Sequence, residues 1–157
     1  MRIYVGRREP ISSERWHSRY GWNRRRAEEM VKEGQTEPLI YVQESGGDTP
    51  PCEYELRHHP LHSPDGFDWG YSGSGPTDAA RCILIHYLGI RMPRTTKKSR
   101  EVYVPHYRDF KLHFLSEAPE EGFTISEEQI DAWARAQGLD LPAPRPSGRL
   151  RTSLLAR

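Results

Sequence analysis

The sequence predicts an α+β fold: a small antiparallel sheet packed with two or three helices in a single domain. Three observations lead to it. Short segments of alternating polarity near the N-terminus read as strands. Two later segments place apolar residues at helical spacing. The length of 157 residues suits one hydrophobic core. With 4 Trp, 8 Tyr and 4 Phe the chain has the aromatic content of a packed domain, despite 29% charged residues.

Taken in order, "RIYVGR" (Arg2–Arg7) reads as a strand with Ile3 and Val5 on one face and Tyr4 on the other. The second half of 12–36 reads as a helix: Asn23 can cap it, Ala27, Met30 and Val31 form its apolar face, and Gly34 can close it. Arg24, Arg25 and Arg26 sit against the dipole in its first turn. "PLIYVQE" (Pro38–Glu44) is a strand, "SGGDTPP" a turn or loop, and "CEYELRH" a second alternating strand. Ala80, Ile83, Leu84, Tyr87 and Leu88 then mark an amphipathic helix, with Pro76 at its first position, Asp78 near its third and Gly89 past its end. "EVYV" (Glu101–Val104) and "FKLHFL" (Phe110–Leu115) read as strands after the basic connector "RMPRTTKKSR". Ser126 and Gln129 have the spacing of a capping box, flanked by an Ile125–Ile130 staple. Ile130, Trp133 and Ala134 face the core of that last helix, which Gly138 ends. These elements give one domain over 1–140, with an insertion at 12–36, followed by a flexible basic tail at 141–157.

Charge is segregated along the chain. Residues 37–89 carry 8 acids against 2 bases, and 90–116 carry 7 bases against 2 acids. Such blocks can face one another within the fold or leave the surface with a basic side. No apolar run approaches the roughly 20 residues of a membrane span, and "MRIYVGRRE" lacks the apolar core of a signal peptide. No membrane partner and a cytoplasmic location are therefore expected. Cys52 and Cys82 make no CxxC, so both are expected as free thiols.

The stretch "SPDGFDWGYSGSGPTDAARCILIHYLG" resembles the signature of a family of small uncharacterised proteins of bacteria, phages and plasmids, with a G-F-x-W-G-Y-x-G-S-G-P run before an Ala/Leu-rich helix. "YVG" (Tyr4–Gly6), "YRDFK" (Tyr107–Lys111) and the Ile130/Trp133 pair agree with it. The resemblance implies no established activity. It implies an accessory or counter-defence role of the kind such mobile-element proteins have.

The same stretch holds the candidate ligand site: Trp69, Gly70, Tyr71, Ser72, Gly73, Ser74, Gly75 and Arg81. Glycine amides and a helix N-terminus can form an anion nest, Trp69 or Tyr71 can stack a flat group, and Arg81 can supply charge. The competing readings are a tight turn over a core of Trp69 and Tyr71, or a docking surface. His58, His59 and His62 with Asp65 and Asp68 offer metal-ligand types for a hydrolase, but no HExxH or paired-ligand spacing accompanies them. Cys82 has no activating neighbour in the sequence. Arg24–Arg26 beside Trp22, Lys97–Arg100 and the tail arginines can track phosphates.

The function expected is thus a non-enzymatic accessory binding protein, with no catalytic residue, metal or cofactor assigned. It would capture a nucleotide-like phosphorylated ligand or dock on a host or defence protein. A metal-dependent hydrolase using His58–Asp68 and a nucleic-acid-binding protein are the alternatives.

Overall fold

Strand β1 (Arg2–Pro10) alternates buried Arg2, Tyr4 and Gly6 with half-buried Ile3, Val5 and Arg7, giving the sheet two unlike faces. In the computed structural model, which describes residues 1–12 and 24–143, β1 pairs antiparallel with β2 (Thr36–Gly46). Strand β2 turns at Gly47–Asp48 into β3 (Thr49–Glu55). The other side of β1 takes β4 (Gly122–Ser126), so the sheet order is β3-β2-β1-β4. Pro50 and Pro51 fall in the edge strand β3, where a missing N–H is tolerated.

Among the described residues five α-helices accompany the sheet: α1 (Arg24–Lys32), α2 (Ser74–Leu88), α3 (Thr96–Arg100), α4 (Tyr107–Phe110) and α5 (Glu127–Ala136). Helix α4 runs directly into a π-helical turn, Lys111–Leu115. The fold is therefore the small α+β domain that the sequence predicts.

Helix α2 is buried from Gly75 to Ile85 and again at Tyr87, far more than the one-sided face its apolar spacing implies. Its Ile83, Leu84 and Tyr87 share one core with Tyr4, Ile40 and Val42 of the sheet and Ile130 and Trp133 of α5. The Ser126/Gln129 capping box is formed, and Ile125 and Ile130 on either side of it are both buried. In α1, Ala27 is buried and Met30 half-buried, while Val31 is exposed; Asn23 lies outside the described residues.

Four local expectations are corrected. Helix α2 starts two residues earlier than Pro76, with Gly73 as an extended N-cap, because the Thr77 N–H and hydroxyl both donate to the Gly73 carbonyl; Asp78 is then its fifth residue and not its third. Glu101–Val104 is irregular, not a strand. Phe110–Leu115 is helical: Phe110 and Leu115 are both fully buried, and the Ser116 N–H donates to Lys111 O at 2.9 Å, closing the wider turn that brings positions i and i+5 to one side. β4, Gly122–Ser126, is a strand that the sequence pattern does not predict. The tail beyond residue 143 lies outside the described residues, as does 13–23 of the expected insertion. No described helix is long and apolar enough to cross a membrane.

Candidate functional site

The glycines of "WGYSGSG" answer to close packing. Gly70 has φ +87, which an L side chain resists, and its N–H donates to Leu115 O at 2.8 Å. A Cβ at Gly73 would fall into the Tyr71 ring, and one at Gly75 would lie 2.6 Å from Asp68 Cβ. The Asp68 Cβ and backbone thus pack against the first turn of α2. The Asp68 carboxylate accepts from Arg8 Nη2 at 2.8 Å and from the Trp69 N–H at 2.9 Å. Burial, then the Asp68 charge and hydrogen bond, raise the Tyr71 phenol above its ordinary range.

Trp69 is 1% exposed and has no open face for stacking. Its ring meets Phe123 edge-on, the Arg8 guanidinium lies 5.0 Å from its centroid, and its indole N–H donates to Glu120 O. Arg81, also 1% exposed, donates to the carbonyls of Ser99 at 2.9 Å, His59 at 3.3 Å and Val102 at 3.4 Å. It ties two loops to α2 and does not reach the glycine loop's surface. Of the eight residues predicted for the site, only Gly70, Tyr71, Ser72 and Ser74 are exposed; Gly73 is half-buried and Gly75 buried.

The histidine stretch is held by one buried side chain. Asp78, fully buried, accepts from the N–H groups of Leu61, His62 and Ser63 and lies 3.0 Å from His58 Nε2. Burial alone would raise its pKa, but the His58 bond and the three backbone bonds outweigh that and hold the carboxyl below its ordinary value. Burial, with the Arg57, Arg81 and His58 charges, pushes the His59 pKa down to about 4. His62 Nε2 meets the Tyr107 hydroxyl at 3.2 Å. Among the described residues no three His, Cys, Asp or Glu side chains are grouped to hold a metal. Both cysteines are free thiols, Cys52 exposed and Cys82 buried. Burial pushes the Cys82 thiol up to about 12, far from nucleophilic range.

Two features escaped the sequence. His86 lies between two phenols, with Nδ1 2.9 Å from the buried Tyr4 hydroxyl and Nε2 2.8 Å from that of Tyr54. Only tertiary packing of α2 on the sheet brings these together. The other is Tyr103, 79% exposed. Val102 offers its carbonyl to Arg81 and Val104 is buried, so the chain is held on both sides of the outward Tyr103. Its "VYV" alternation is the signal that was available.

Tyr103 stands beside α3, whose Ser99 is buried and bonded to Arg81 while Lys97, Lys98 and Arg100 are exposed. Arg91, Arg94 and Arg108 are exposed on the same connector and the helix after it. None of these six cations has an ion-pair partner among the described residues. The buried Arg81 thus fixes the backbone of a segment that carries six exposed cations, the exposed acids Glu101 and Asp109, and an outward aromatic ring.

No curated protein and no solved structure matches the chain. Residues 36–136, from β2 to the end of α5, match the model of a family of unknown function (DUF6166), and the chain belongs to that family.

Proposed function

We propose that the protein is a non-enzymatic accessory binding protein that engages single-stranded nucleic acid through the connector between α2 and α4. The observation that carries this reading is Tyr103, 79% exposed among six exposed cations without ion-pair partners among the described residues. Phosphates attract such cations without regard to sequence. An exposed ring on a pinned backbone offers a base a stacking platform. Capture of a phosphorylated ligand in the glycine-rich loop draws less support, since the Asp68 carboxylate flanks the loop and both Trp69 and Arg81 are committed inside the fold. The accessory or counter-defence setting, in a bacterial, phage or plasmid context, comes from the resemblance and belongs to this proposal.

The test is fluorescence anisotropy of a labelled single-stranded oligonucleotide across a salt series. Binding should weaken steeply with salt, with a log–log slope of about −3 to −4 for some five phosphates contacted. Tyr103→Ala should lower affinity roughly 5- to 100-fold without loss of folding. Lys97→Gln with Lys98→Gln should flatten the slope by about 1.4. No binding at low salt, or binding that ignores all three substitutions, overturns the reading. Nucleotides that compete with the oligonucleotide, with Tyr71→Ala abolishing the competition, would restore ligand capture at the glycine loop.

A further inference from the structure

A second surface borders the stretch 117–140, which carries 7 acids against 1 base. An open groove of about 660 Å³ runs between β4 and the π-helical turn, with Phe114 and Phe123 as its aromatic walls and Ala118 and Pro119 along one side. The π turn shapes it. Closing the wider turn at Lys111–Ser116 puts Phe110 and Leu115 into the core and leaves Phe114 half-buried at the groove, braced by Phe110 and Trp133.

β4 is an edge strand, paired among the described residues with β1 alone. Its hydrogen-bonding parity follows from two local bonds that point away from β1. The Gly122 N–H donates to Pro119 O at 3.1 Å, and the Ser126 N–H to Gln129 Oε1 at 2.8 Å. Thr124 lies midway between them, shares their outward parity and is exposed, so its N–H and C=O stand at the open edge.

One end of the groove is acidic. Glu121 lines it, and Glu117 and Glu120 lie on the same connector between the π turn and β4; all three are exposed and none has an ion-pair partner among the described residues, while His113 lines the groove on the side of the π turn. We infer that this groove docks an extended basic peptide of a partner protein, added as a short strand to β4 through Thr124. An apolar or aromatic side chain would sit between Phe114 and Phe123, and flanking Lys or Arg would meet Glu117, Glu120 and Glu121. Strand addition supplies main-chain bonds, and alternate side chains supply the choice of partner. The acidic end selects its charge. This surface is separate from the one proposed for nucleic acid.

The test uses a labelled peptide of alternating lysine and valine around one phenylalanine, and its counterpart with glutamate for lysine. The lysine peptide should bind and the glutamate peptide should not. Glu120→Lys with Glu121→Lys, both on the surface, should weaken binding about tenfold or more. Thr124→Pro removes an N–H that β1 does not use and should abolish binding. Should that variant fail to fold, the charge-reversal pair decides alone. Tyr103→Ala should leave peptide affinity unchanged, which separates this proposal from the preceding one. Equal binding of both peptides, or binding indifferent to the charge reversal, overturns it. So does concentration-dependent self-association that Glu120→Lys with Glu121→Lys abolishes, since the occupant would then be a second copy.

Discussion

The Asp78 carboxylate lies 3.0 Å from His58 Nε2 and also gathers the N–H groups of Leu61, His62 and Ser63, so one buried side chain fixes the whole histidine loop. Its folded pKa is lowered, so its stabilising contribution is present above the ordinary value of 3.8 and is lost as pH falls through the lower folded value. Asp78→Asn turns an amide NH₂ toward those donors and should cost about 3 kcal/mol in urea unfolding at neutral pH.

His59 adds an earlier step. Its pKa falls from 6.5 to about 4 on folding, so below pH 6.5 the unfolded chain takes up a proton that the folded one refuses. Stability should therefore be full above about pH 6.5 and decline as the pH falls toward 4. Urea midpoints measured at successive pH values should show this slope in the wild type, and His59→Gln should remove it. An unchanged slope would place the titrating group elsewhere.

Gly73 and Gly75 should respond differently to substitution. The Tyr71 ring blocks a Cβ at Gly73, and Tyr71 is 48% exposed and can swing out once its Asp68 hydrogen bond breaks; Asp68 Cβ and backbone N block one at Gly75. Gly75→Ala should destabilise by about 1–3 kcal/mol. Gly73→Ala should cost less, and Tyr71→Ala in the same chain should recover most of that loss. Thermal melts of the single and double variants form the cycle.

Arg81→Met should leave the carbonyls of Ser99 and Val102 without their buried donor, at about 2–4 kcal/mol. Hydrogen exchange should quicken across 96–104 before the rest of the domain. Arg81→Lys should rescue little, because one ammonium cannot span three separated carbonyls as a guanidinium does.

Trp69→Ala should cost about 3–5 kcal/mol as a core truncation. Trp69→Phe, which keeps the ring but loses the N–H donated to Glu120 O, should cost about 1 kcal/mol. Chemical denaturation of the two variants measures both losses. A Trp69→Ala protein as stable as the wild type would show that the indole does not support the fold.

What could be read in advance depended on the range of the signal. The Ser126/Gln129 box, the Ile3/Tyr4/Val5 alternation and the helix ending at Gly89 are local patterns, and all three hold. Phe110 and Phe114 lie four apart, a spacing that satisfies both a strand and a helix, and Leu112 between them decides it: it is 59% exposed while Phe110 is buried. β4 has only five residues, and its partner lies at the opposite end of the chain, beyond any window of local pattern. The glycine-rich loop was visible because glycine itself is a conformational signal. The inward direction of Trp69 and Arg81 was not, because nothing in an adjacent residue tells a surface Trp or Arg from a buried one.

The position of β1 bears on the order in which the domain assembles. Among the described strands it precedes β2, β3 and β4 in the chain, yet Tyr4 must pair with both Val42 and Ile125, and β4 is made well after β2 and β3. On a ribosome β1, β2 and β3 can join early as a meander, while the other edge of β1 waits unpaired until Gly122–Ser126 has emerged. Pairings between such distant segments slow folding and prolong the exposure of a bare strand edge. Residues 36–136 by themselves contain β2 and β4 but not the strand that joins them. Expressed alone, that stretch would have two sheet fragments with no strand between them.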